Sequence, residues 1–126
     1  MFEVVNTGLL PSTAPVNGTV RSGNIIYSVQ VPRDQTTGKT TEGGIEDQMR
    51  QTLKNLKQAV EAGGGTLADV AQVIIYLTQK SNFDGMNKVY KEYFKQPYPS
   101  RATVIAELMG EGVLVEIVAH VNLAKT

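Results

Sequence analysis

The segment Val113–Leu123, "VLVEIVAHVNL", does most to restrict how this chain can fold. It is rich in β-branched residues and reads as a strand. Successive side chains of a strand point to opposite faces. One face then carries Val113, Val115, Ile117, Ala119, Val121 and Leu123, a set suited to packing under helices. The other carries Leu114, Glu116, Val118, His120 and Asn122, too apolar for plain solvent and too polar for a dry core. The chain therefore needs a sheet closed by helices on one side and covered by something else on the other.

Two segments supply the helices. Ile45, Met49, Leu53, Leu56 and Val60 recur at helical spacing, with polar residues filling the other face, and Gly63–Gly65 stop the helix. Ser81 starts the second, where "SNFD" reads as a capping box with Asp in place of the usual Glu or Gln. Phe83, Met86, Tyr90 and Phe94 form its apolar stripe, and "KQPYPS" ends it. Strands are expected at 2–7, at 69–78, at 101–108 and at 113–123. Two more lie within 19–32, joined by a turn at Ser22–Gly23–Asn24. Residues 8–18, 33–44 and 109–112 read as loops or turns. The order is β-β-β-α-β-α-β-β. It specifies an α+β fold, a mixed sheet with both helices on one face.

The 126 residues suffice for one domain, 1–126, with a real core. Two helices cannot bury both faces of its sheet. Self-association over the second face, with C2 or C3 symmetry, is the simplest remedy. Twelve basic residues balance twelve acidic ones, which leaves no net charge to drive nucleic-acid binding. The chain has no cysteine, so disulfides, thiolate zinc sites and cysteine nucleophiles are excluded. "MFEVVNTGLL" lacks a basic n-region, and no stretch approaches the ~20 apolar residues of a membrane span. A soluble cytoplasmic protein is expected, with no membrane or nucleic-acid partner. The glycine-rich stretches lack phosphate-loop spacings, and no G-x-S-x-G elbow occurs.

Chemistry points first to "YPSRATV", where Arg101 enters a strand. A guanidinium is costly to desolvate alone. Arg101 therefore escapes to solvent, pairs with Glu107 or Glu116, or awaits a carboxylate from outside, for which its planar fork is suited. Glu116 sits in an apolar strand, where burial raises a carboxyl pKa and an arginine partner lowers it. His120 lies four residues on, on the same face, as either a general base or a satisfied interface histidine. A lone histidine makes a weak metal site.

Five segments in order, "SGNIIYSVQVP", "QMRQTLKNLKQAVEAGGGTLADV", "VIIYLTQKSNFDGMNKVYKEYF", "YPSRATV" and "VLVEIVAHV", resemble the Rid family of YjgF-type imine/enamine deaminases. The "P-x-R" before one strand and the "V-E-I" of the next carry most of the likeness. The resemblance implies a chorismate-mutase-like fold and a homotrimer with ligand clefts between subunits. It also implies no metal or organic cofactor, and hydrolysis of 2-imino or 2-enamino acids to 2-keto acids and ammonia. On this reading Arg101 clamps the substrate carboxylate. Thr103, where many members have cysteine, offers its backbone N–H. Ser28 matches a strand-end serine. Val29 stands where the family commonly has a glycine whose backbone N–H faces the ligand. Asn87 matches an asparagine facing the cleft from the neighbouring subunit.

Two departures stand out. The family's water-handling glutamate is replaced by Val118, and the loop tyrosine over the site aligns with Pro15. Either water attack proceeds on backbone contacts alone, or Glu116 or His120 substitutes, or the activity is reduced, redirected or absent; His120 projects from the same face as Val118, ~7 Å along the strand. The expected catalytic set is Arg101, Glu116 and His120. The expected binding set is Arg101, Thr103, Ser28, Val29 and Asn87. The alternative is a trimer that binds or senses 2-keto acids without turnover. An RNA-cleaving role finds no basic–aromatic stripe to support it.

Overall fold

A computed structural model describes residues 1–124. Its elements are β1 (Glu3–Val4), β2 (Thr19–Ser22), β3 (Ile25–Gln30), α1 (Ile45–Ala62), β4 (Val70–Leu77), α2 (Phe83–Tyr93), β5 (Ser100–Ile105) and β6 (Val115–Asn122). The strands form one mixed sheet in the order β1-β2-β3-β6-β4-β5. Every pairing is antiparallel except β4 with β5. The α+β class and the element order match the expectation.

One sheet face is closed by the helices. Ile26, Val73, Ile75, Leu77, Val115, Ile117, Ala119 and Val121 are fully buried there against Met49, Leu53, Leu56 and Val60 of α1 and Met86 and Val89 of α2. Burial of each Leu or Ile contributes roughly 1.5–3 kcal/mol. Gly63–Gly65 end α1 as expected. Gly64 takes φ +101, the Gly65 N–H reaches the Val60 carbonyl, and the Gly64 N–H reaches that of Glu61. That pair of bonds is the Schellman arrangement, and it needs a residue free to adopt positive φ.

Several boundaries moved. The first strand is Glu3–Val4 only. Leu67–Asp69 is a turn of 3-10 helix closed by a capping box between Thr66 and Asp69, so β4 begins at Val70. The box expected at Ser81 does not form: Ser81 lies in a 3-10 turn over Lys80–Asn82, and α2 starts at Phe83 with no side-chain cap. β5 ends at Ile105 and β6 begins at Val115. In between, Gln48 of α1 takes over the hydrogen bonding, its Nε2 donating to the Gly112 carbonyl (2.8 Å) and its Oε1 accepting from the Leu114 N–H (2.8 Å).

Gln48 belongs to a second departure. Polar residues were expected to fill the outer face of α1, yet Gln48, Thr52 and Asn55 are buried. Each is hydrogen-bonded, as burial of a polar group demands. Thr52 donates to the Gln48 carbonyl, and Asn55 donates to the carbonyls of Val31 and Arg33. Gln48 and Asn55 tie α1 to the two loops beside it, while the Thr52 bond stays within the helix.

Candidate functional site

β5 is the edge strand next to α2. Its register pairs Arg101 with Val73 and Thr103 with Ile75. Val73 and Ile75 are buried under the helices, so Arg101 and Thr103 project toward the helix layer. The guanidinium of Arg101 lies over the Tyr90 ring, 4.7 Å from its centroid, and 5.8 Å from that of Phe83. Its Nη1 is 3.9 Å from the Met86 sulfur. Aromatic faces attract a cation but leave its hydrogen-bond fork unused. Among the described residues Arg101 has no carboxylate partner, neither Glu107 nor Glu116. Of the three fates open to it, the internal ion pair is ruled out.

Beside Arg101 opens a hollow of about 360 Å³ lined by Asn87, Tyr90, Lys91, Tyr98 and Pro99. Within one chain Asn87 lines this hollow together with Arg101, because α2 packs alongside the edge of β5. Tyr90 stacks on Phe94 (4.6 Å) and lies 6.4 Å from Tyr98. Its hydroxyl is buried and has no partner among the described residues. Burial pushes the Tyr90 phenol up, against the opposing pull of Arg101.

The Thr103 backbone also faces this edge. The Ala106 N–H bonds to the Leu77 carbonyl, and strand N–H groups alternate in direction. The N–H of Thr103 therefore points away from β4, to the free edge of the sheet.

The other face of the sheet holds the rest of the expected set. Register places Val29, Val118, Ile74 and Ala102 side by side across four strands. On one side of this apolar row lie Glu116, Tyr76 and Val104. On the other lie Tyr27, His120 and Gln72. Tyr27 meets His120 edge to face at 5.4 Å. Burial raises the pKa of Glu116 above the usual carboxylate range, with no cation nearby to oppose it. Tyr27 and Val29 are exposed, and Val118, Glu116 and His120 are half-buried. Among the described residues nothing covers this face.

The expected catalytic set is thus split. Arg101 and Thr103 lie toward the helices, while Glu116 and His120 lie on the open face, so one protomer cannot apply them to one substrate. The Ser28 side chain points to the helix side, 1% exposed, bonded to Thr19 Oγ1 (2.9 Å) and Gln30 Nε2 (2.9 Å). The Val29 N–H, expected to face a ligand, donates to the Gly18 carbonyl (2.9 Å). Pro15 lies exposed in the 8–18 loop.

The reading from sequence missed Tyr90, Lys91 and Tyr98. A signal existed, since Asn87, Tyr90 and Lys91 stand at i, i+3 and i+4 of one helix side. A larger hollow of about 700 Å³ lies between the N-terminal segment, β3 and α1. It offers no free charge of its own, for the Arg33 guanidinium donates to the carbonyls of Leu10, Pro11 and Gly38. No cluster of three or more metal-ligating side chains occurs among the described residues.

The sequence profile of the family described as endoribonuclease L-PSP matches residues 9–123. A RutC family protein of Pyrococcus horikoshii is 39% identical over 94% of this chain and 96% of its own length. A protein of Dermatophagoides farinae named 2-iminobutanoate/2-iminopropanoate deaminase is 36% identical over 84% of this chain and 85% of its own. The crystal structure of RidA from an Antarctic Psychrobacter superposes with a TM-score of 0.88 at 32% identity, covering 95% of this chain and 98% of that one.

Proposed function

This chain belongs to the endoribonuclease L-PSP family, the Rid or YjgF-type proteins, and from that premise we propose that it hydrolyses small 2-imino acids to 2-keto acids and ammonia. One observation carries the reading: the Arg101 guanidinium, bonded only to the soft Met86 sulfur, lies beside an open hollow with no carboxylate partner among the described residues. The fork takes both oxygens of the substrate carboxylate, and the Thr103 N–H at the sheet edge adds a third donor. Holding the acid group fixes where C2 lies and presents it to water.

The reaction is redox-neutral. Water adds to C2, and the C=N π electrons move to nitrogen, which takes a proton. The carbinolamine then loses ammonia as the C–N bond breaks, and its hydroxyl proton leaves to give the keto group. A protonated imine is already electrophilic, so modest assistance suffices. Val118 has no proton to exchange. The titratable groups flanking the apolar row are Glu116 and His120, and both lie on the face away from Arg101. We therefore place the site between copies in a homotrimer: Arg101, Thr103 and Asn87 come from one copy, and the open-face row with its flanking Glu116 and His120 comes from the next. That arrangement also covers the face the helices leave bare.

A second reading has its own observation. Val29 and Val118 are register partners, so the family's glycine and glutamate positions are replaced as a pair by an apolar patch. A trimer that binds 2-keto acids without turnover needs Arg101 and not the glutamate.

The test generates 2-iminobutanoate in situ with an amino-acid oxidase in the presence of semicarbazide. A deaminase diverts the imine from the trap. Arg101→Ala then loses about 100-fold or more, the effect of a buried charge pair losing one partner. His120→Ala and Glu116→Gln identify the group that moves the proton. Saturable 2-oxobutyrate binding with no diversion of imine establishes the second reading instead. A wild-type protein that neither diverts imine nor binds keto acid overturns both.

A further inference from the structure

We propose that the hollow beside Arg101 accepts a dicarboxylic 2-imino or 2-keto acid, with Lys91 receiving the second carboxylate. The inference rests on the reading of Arg101 as the clamp for the first. Asn87, Tyr90 and Lys91 share one side of α2, and with Tyr98, Pro99 and Arg101 they line a single hollow of about 360 Å³. A hollow of this size has room for more than a three-carbon acid.

Charge decides what the extra room suits. Lys88, three residues before Lys91 on the helix, is neutralised by Glu46 at 3.3 Å, and Arg50 on α1 by Glu92 at 2.8 Å. Lys91 and Arg101 have no carboxylate partner among the described residues. The Nζ of Lys95 donates to the Lys91 carbonyl (2.9 Å), bringing a third cation to this end of α2. No acidic side chain lines the hollow. A monocarboxylate satisfies one of the two lining cations, a dicarboxylate both, and an amino-bearing side chain is repelled.

Calorimetric titration of the full chain with 2-oxoglutarate and with 2-oxobutyrate tests this without requiring turnover. The expected result is a preference of about fivefold for the dicarboxylate, the upper scale of one solvent-facing ion pair. Lys91→Met erases that preference, Lys91→Glu reverses it, and the control Lys88→Met keeps it. High salt shrinks it, as for any solvent-facing charge pair. Equal affinities in the wild type, or a preference that survives Lys91→Met, overturn the inference. If Arg101→Ala abolishes binding of both acids in that case, the carboxylate clamp stands and only the role of Lys91 falls. Binding of both acids unimpaired by Arg101→Ala, or of neither by the wild type, brings down the clamp and the inference together.

Discussion

Ile117 and Val118 are neighbours in β6 with nearly the same side chain, yet they end in different environments. Ile117 is fully buried beneath the helices, and Val118 is half-buried on the bare face. The same holds along β3, where Ile26 is fully buried and Tyr27 and Val29 are exposed. Both faces come from one alternating pattern. The difference is that α1 and α2 each have one apolar stripe, and both stripes are spent on the same side. The helix face stabilises the monomer. The bare face has apolar area left to bury and titratable groups placed within it.

The largest expected effect separates the two faces directly. Ile117→Ala removes buried methylenes beneath the helices and costs about 3 kcal/mol in urea denaturation. Val118→Ala in dilute, dissociated chains costs under about 1 kcal/mol, as for a residue outside a packed core. Equal losses in the two variants would show that the bare face is closed within a single chain. At high protein concentration the wild-type midpoint rises, because association stabilises the folded form by mass action. Val118→Asp removes that rise and lowers the mass measured by sedimentation.

Gln48 sharpens the comparison from the helix side. That face is not purely apolar: it includes a glutamine whose two ends hold Gly112 and Leu114. Gln48→Ala removes both bonds, to the Gly112 carbonyl and from the Leu114 N–H, and costs about 1–2 kcal/mol in the same assay. Lys54→Ala, exposed on the same helix, changes stability by less than about 0.5 kcal/mol. A negligible loss at Gln48 would mean that the loop before β6 finds other partners.

The fold was legible because its signals are periodic. The α1 stripe, the Gly63–Gly65 stop and the alternation of β6 each depend on spacing within one segment, and each survives in the structure. What escaped depends on tertiary partners. Gln48 and Asn55 look like solvent-facing polar residues until the loops they hold are in place. "SNFD" matches a cap motif, but the chain winds a 3-10 turn first and the cap is lost. At the site, Arg101 was readable as a cation entering a strand. That Glu116 and His120 face the other way follows only from the register of β5 on β4, which no local pattern states. That Asn87 shares a hollow with Arg101 of its own chain depends likewise on how α2 packs beside β5.

Glu116 makes the bare face sensitive to pH. Its pKa is raised by burial from 4.5. A carboxyl whose folded-state pKa is raised stabilises the fold fully below its unfolded pKa, and that contribution is lost as pH rises through the raised value. Glu116→Gln cannot ionise. The variant and the wild type therefore unfold alike below about pH 4, and the variant becomes the more stable of the two as pH increases toward neutrality. Chevron or urea curves at several pH values read this directly. A stability difference that does not change with pH would mean that Glu116 is as well solvated in the fold as in the unfolded chain.

The smallest effect is expected on the outer surface of the helix layer, where Arg50 grips Glu92 through two bonds of 3.0 and 2.8 Å. The geometry is bidentate, and the hydrogen bond from Arg50 is the main reason the Glu92 carboxyl titrates below its usual range. The sign is opposite to that of Glu116: the contribution is present at neutral pH and is lost as pH falls through the lowered pKa. Yet both side chains are about 42% exposed, and water competes for every bond they make. Glu92→Gln should move the denaturation midpoint far less than Gln48→Ala, and in 1 M salt the difference from wild type should vanish, since the Debye length there is only about 3 Å. A loss as large as that of Gln48 would place the junction of α1 and α2, rather than their inner stripes, among the main contributors to the helix layer's stability.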